Sequence, residues 1–180
     1  MKFTLDILSN NEYDLYKGIS FQVGTFEHLT EQLTQNGTFD KYREIHRNYY
    51  ELYITTADEA TKLETLKRLI FLNWYSIIEP NCFTGIINLD DKIVFNSFSI
   101  LNEYIRMSKL DKEFIWMLSY YSCWEWAILP LSQNKLNELT NFVKNVDTSI
   151  LYVPKHQLLR GIMDNRGQMG FYWKSCSVEK

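Results

Sequence analysis

A chain of 180 residues with 46% hydrophobic and 16% aromatic side chains can bury a sizeable core made largely of rings. Its 23% charged residues, 3 Pro and 7 Gly exclude a disordered tract and a turn-rich sandwich. A net charge of −3 argues against a protein that grips nucleic acid through phosphates, and no apolar run reaches the length of a membrane span.

From the N-terminus, Phe3, Leu5 and Ile7 alternate with Thr4 and Asp6, which predicts a short strand. Residues 9–24 are polar and mixed and give no assignment. A first helix is expected over Phe26–Asn36, capped by Thr25 and closed by Gly37. A second follows from Thr38, with Tyr42, Ile45, Tyr49, Leu52 and Tyr53 on one face. Thr56-Ala57-Asp58-Glu59 reads as a capping box for a third helix, over 57–78, stopped by Pro80. Its second half is apolar almost all round and should be buried.

Residues 81–89 read as a loop. A fourth helix is expected over 92–108 after Asp90 or Asp91, and a fifth over 112–129, capped by Asp111 and ended by Pro130. Ser132 would cap a sixth over 133–145. Pro154 would open a short last one reaching Met163. Gly170-Phe171-Tyr172-Trp173-Lys174 suggests a terminal strand or an ordered tail. The expected fold is therefore mostly α: one irregular antiparallel bundle of six or seven helices spanning 1–180, with the third and fifth as its central pair. Pairing 57–78/92–108 with 112–129/133–145 suggests a two-unit solenoid, but no residue pattern matches between them.

Glu125 is the most unusual residue. Between Ile115 and Leu129 it is the single charge, and at helical spacing it joins the row Phe114, Leu118, Tyr121 and Ile128. A carboxylate in an apolar face needs a partner or a task. If the third and fifth helices pack together, Glu79 and Glu125 could share a crevice with Arg68, His46 and Trp124. A buried carboxyl with a raised pKa makes a general acid. On that reading Glu125, Glu79 and His46 would be catalytic, and Arg68, Glu79, Trp124 and Glu125 would hold a small ligand. The plainer reading is a buried Glu–Arg pair and a satisfied core-edge histidine.

No metal-ligand spacing links His28, His46 and His156, and no nucleotide or nucleophile motif occurs, so neither a metal nor a cofactor is expected. Cys82, Cys123 and Cys176 are odd in number and far apart, which suits a reducing compartment, and Asp6 interrupts any signal-peptide core. Cytoplasm is expected. Charge is uneven: residues 1–150 hold fourteen Lys/Arg against twenty Asp/Glu, whereas residues 151–180 hold five against two. The leading expectation is a non-enzymatic protein-binding module with a basic partner, by analogy a bacterial toxin-neutralising, immunity-like protein. Arg160, Arg166, Tyr172 and Trp173 are its candidate contacts. The first alternative is an enzyme or ligand binder with its pocket between helices 57–78 and 112–129. The second is nucleic-acid binding through the basic C-terminal segment.

Overall fold

The computed structural model describes residues 3–20, 22–133, 135–151 and 161–176. Among them lie ten α-helices, one 3-10 turn and no strand, so the fold is all-α. The helices gather into two compact units, Met1–Asp90 with Pro154–Lys180, and Asp91–Val153.

The first unit begins with α1 (Leu5–Ser20), where a strand and an unassigned stretch were expected. The 3-5-7 alternation is coincidental. The governing row is Leu8, Glu12 and Ile19 with Ser9 beside it, all buried at helical spacing. Two polar residues in that inward row hide the amphipathic pattern.

Thr25 caps α2 (Phe26–Gln35) by accepting from the His28 amide, 3.4 Å. Gly37, at φ +72°, starts α3 (Thr38–Thr55), which buries Tyr42, Ile45, His46, Tyr49 and Leu52. The residue that caps α4 (Glu59–Ile78) is Asp58 rather than Thr56; its carboxylate accepts from the Thr61 amide, 2.8 Å. Leu66 and Leu69 through Trp74 are buried without a break, as the all-round apolar pattern requires. The Thr56–Asp58 turn joins α3 and α4, the most extensively packed pair of the unit. Pro80 stops α4, but Asn81–Thr84 then form a short helix, α5, instead of a loop.

The C-terminal segment is also a helix, α10 (Gly167–Ser175), not a strand. A helix turns about 100° per residue, so Phe171, Tyr172 and Trp173 point three ways. Phe171 stacks on Tyr13 and Tyr16 of α1, at 5.3 and 4.7 Å. Tyr172 packs against Phe71, Trp74 and Tyr75 of α4. Trp173 is fully buried. Residue 170 must be glycine at this crossing, because a Cβ there would overlap the Met163 carbonyl.

The second unit holds α6 (Asp91–Arg106), α7 (Lys112–Ser122), α8 (Glu125–Ile128), the 3-10 turn Thr148–Leu151, and α9 (Asn137–Lys144). Asp111 caps α7 through the Phe114 amide, 2.7 Å. The expected continuous helix 112–129 breaks at Cys123–Trp124, where Trp124 takes φ −109°, ψ 64°. The expected helix from Ser132 starts only at Asn137; Ser132 instead bonds back to the Leu129 carbonyl. Phe98 and Leu101, Phe114, Met117 and Leu118, Ile128, Leu139 and Val143 are among the unit's buried apolar residues. Each such side chain contributes about 1.5–3 kcal/mol. Helix α4 belongs to the first unit, and α7 and α8 to the second. The last helix expected from Pro154 lies mostly outside the described residues, as does Arg160.

Candidate functional site

Among the described residues, the fully buried carboxylate is Glu12, and Glu125 is exposed. Helix α1 aims Glu12 inward, where it is 1% exposed. One of its oxygens accepts from the Tyr49 hydroxyl of α3. The other accepts from the Gln168 amide at the start of α10, 2.9 Å. Asn165 (φ +55°), Arg166 (φ −110°) and Gly167 (φ +56°) alternate in sign ahead of that amide. Such alternation turns backbone N–H groups toward one concave side that suits an anion, and here the anion is the chain's own. A Cβ on Gly167 would overlap the Glu12 carboxylate, so only glycine permits the approach. Burial raises the Glu12 pKa, against the lowering pull of Tyr49, the Gln168 amide and Arg68.

Arg68 of α4 is the second centre. Its Nη1 donates to Tyr49 Oη, 3.1 Å, to the Leu5 carbonyl, 3.4 Å, and to Ser9 Oγ. Its Nε donates to Glu64 Oε1, 3.0 Å, and its Nη2 to the Asn165 carbonyl, 3.3 Å. Arg166 grips the same Glu64 carboxylate with Nε, 2.8 Å, and Nη2. Burial opposes the Glu64 charge, but the hydrogen bonds and charge of Arg166, then Arg68, hold its pKa below the usual range. The sharing of Glu64 between two guanidiniums ties α4 to the turn before α10.

A cleft of about 470 Å³ opens between α1 and the 163–174 segment, with Ser9, Tyr13, Asn165, Arg166, Phe171 and Lys174 in its walls. Lys174 pairs with Asp164 at its mouth. Tyr13 carries the Lys17 ammonium 4.0 Å above its ring.

Of the expected site residues, His46, Arg68 and Glu79 lie in the first unit and Trp124 and Glu125 in the second. Glu125 is exposed at the first position of α8, because the break at Cys123–Trp124 turns it off the apolar row. Glu79 is the half-buried C-cap of α4. Trp124 is half-buried and packs edge-on against Tyr120, 5.0 Å. His46 lies in the core, 1% exposed, its Nε2 2.8 Å from Asn73 Oδ1 and its Nδ1 without a hydrogen-bond partner among the described residues. Burial lowers its pKa to about 4, so it is neutral at physiological pH and Nε2 is the donor. Of the expected partner contacts, Arg166 is clamped on Glu64, while Tyr172 and Trp173 pack inside the first unit rather than forming an exposed set.

Exposed aromatic surface lies elsewhere. Phe26 of α2 is 58% exposed and Phe83 of α5 45%, and their rings meet edge to face at 5.4 Å. Thr30 donates to Asn81, 3.3 Å, joining the same two helices, and Val23, two residues before the α2 cap, is 91% exposed. The charges of α2 are Glu27 and Glu31, both exposed; it carries no Lys or Arg. Its own backbone amide and the Thr25 hydroxyl hold the Glu27 carboxyl below its usual range. Nothing in the sequence pattern set Phe26 apart, since an apolar residue opening a helix more often faces the core.

Among the described residues no group of His, Cys, Asp and Glu is placed to hold a metal ion, and no helix is long and apolar enough to cross a membrane. No family model, no curated protein and no solved structure matches the chain.

Proposed function

We propose that this protein is a non-enzymatic binding module that docks a basic protein partner on the α2–α5 face. The observation that carries the reading is the exposed Phe26–Phe83 pair beside a helix whose charges are all acidic. Exposed rings supply the anchors of a hot spot. Neighbouring carboxylates steer a basic partner and raise its on-rate. The groups suited to chemistry support the same reading, since His46 is neutral in the core and Arg68 and Glu64 are committed to internal pairs. An immunity-like protein that neutralises a basic toxin in a bacterial cytoplasm is one role such a module fills. The nucleic-acid reading loses support, because Arg166 is held by Glu64 and two rings of its segment pack inward.

The test is crosslinking of the tagged full chain in extract of its host. Wild type is compared with Phe26→Ser/Phe83→Ser and with Glu27→Lys/Glu31→Lys. The expected result is one stoichiometric partner of basic pI, recovered by wild type and lost by both variants. Equal recovery by all three proteins would refute the assigned face. Recovery of no protein by wild type would refute the binding-module reading itself.

A further inference from the structure

A second cleft, of about 290 Å³, lies between α1 and α3, and no residue of the α2–α5 face lines it. Its apolar part is Leu15 of α1, Ile45 of α3 and Phe3, which precedes α1. Ile45 is buried, and Leu15 and Phe3 are half-buried. Each helix then adds one exposed carboxylate, Asp14 from α1 and Glu44 from α3. Neither carboxylate has a hydrogen bond or an ion pair among the described residues. The cation of the lining is Lys41, one turn ahead of Glu44, which is the weaker order for an ion pair on a helix. Its Nζ donates instead to the Asn36 carbonyl at the end of α2, 3.3 Å. Asn11 and Asn48 complete the walls, and their side chains make no hydrogen bond among the described residues.

An apolar floor beneath two open carboxylates fits a cation carried on an apolar body. A bare metal ion would leave the floor unused, since hard cations take oxygen ligands alone. An anion meets two like charges. The volume stands at the lower limit of small-molecule sites, which restricts the ligand to one ring or short chain with one charged group. Phe3 favours a ring, because paired rings gain more than their buried area. We propose that the α1–α3 cleft binds a small primary arylalkyl amine, with its ring on Phe3, Leu15 and Ile45 and its ammonium between Asp14 and Glu44. An ammonium has three protons to donate, and the carboxylates and an amide oxygen of Asn11 or Asn48 accept them.

Titration of the full chain followed by heteronuclear NMR tests this with phenethylamine, phenethyl alcohol and methylamine. Phenethylamine should shift the backbone amides of residues 11–15 and 41–48 saturably. The alcohol, its neutral counterpart, should bind about fivefold more weakly, as two partly exposed charge pairs imply. Methylamine has the charge without the ring and should give no saturable shift. Asp14→Asn/Glu44→Gln should bind the amine and the alcohol alike, and so should wild type in about 1 M salt. Both substituted residues are exposed, and circular dichroism checks that the variant folds. Absence of saturable shifts at these two helices would overturn the proposal. So would equal binding of the amine and the alcohol to wild type, equal binding of methylamine, or an unchanged preference in the double variant. None of these outcomes bears on the crosslinking experiment, which alters α2 and α5 and leaves this cleft intact.

Discussion

His46 gives this fold an acid-sensitive element whose size can be worked out. In the unfolded chain a histidine titrates near its ordinary value of 6.5; in the core it titrates at about 4. The folded state thus binds fewer protons than the unfolded state between those values, and stability falls as pH falls. The contribution is fully present above pH 6.5 and gone below pH 4. A shift of this size corresponds to about 3 kcal/mol, lost at no more than about 1.4 kcal/mol per pH unit. Asp90 opposes the shift and Arg47 reinforces it, but burial outweighs both. Glu12 acts in the other direction, since its raised pKa makes the fold more stable as pH falls toward the carboxylate range. The whole-protein curve mixes the two, so the assay is a difference. Urea unfolding of wild type and His46→Gln should be followed in steps from pH 7.5 to 4. A glutamine has no charge to gain, and it can still donate to Asn73. The stability of wild type relative to the variant should drop by about 3 kcal/mol across that window. The imidazole proton signals of wild type should include one that titrates at about pH 4. A flat difference, or three histidines all titrating near 6.5, would refute the burial argument.

Glu12→Gln should flatten the opposite slope: wild type loses stability as pH rises through the raised Glu12 value, and the variant should not, by urea unfolding between pH 5 and 8. Arg68→Met should destabilise by about 3–5 kcal/mol, because it strands the Tyr49 and Ser9 bonds and half of the Glu64 clamp. Gly170→Ala should cost about 1–3 kcal/mol of stability, read by urea unfolding, since α10 must back away from the Met163 carbonyl. Glu125→Gln should change stability by no more than about 0.5 kcal/mol, as an exposed residue does; a large loss would place it in the core after all.

Local chemistry was readable where one residue decides the outcome. Thr25 and Asp111 cap their helices, and Pro80 stops α4, because each acts through its own backbone and near neighbours. The buried second half of α4 was readable because apolar residues surround it on every side. The reading failed where tertiary contacts overrule local pattern. Glu12 and Ser9 break the apolar row of α1, and their inward position makes sense only with Tyr49, Arg68 and Gln168 in place. Glu125 was misplaced by assuming one continuous helix, and a break at Cys123–Trp124 changes the phase of everything after it. The 171–173 rings resemble a strand until two separate helices are found to receive them.

The bond from the Gln168 amide to Glu12 spans 156 positions of sequence. A ribosome adding about 5–20 residues per second takes roughly 8–30 s to cover that distance. Once α1 has left the tunnel, it waits for most of that interval with a carboxylate that has no helix start to dock on. Residues 91–153 form a unit contiguous in sequence and need not wait for anything made later. The order of assembly on the ribosome is therefore inverted relative to the order of synthesis: the middle of the chain can fold first, and its earliest helix is among the last to be locked.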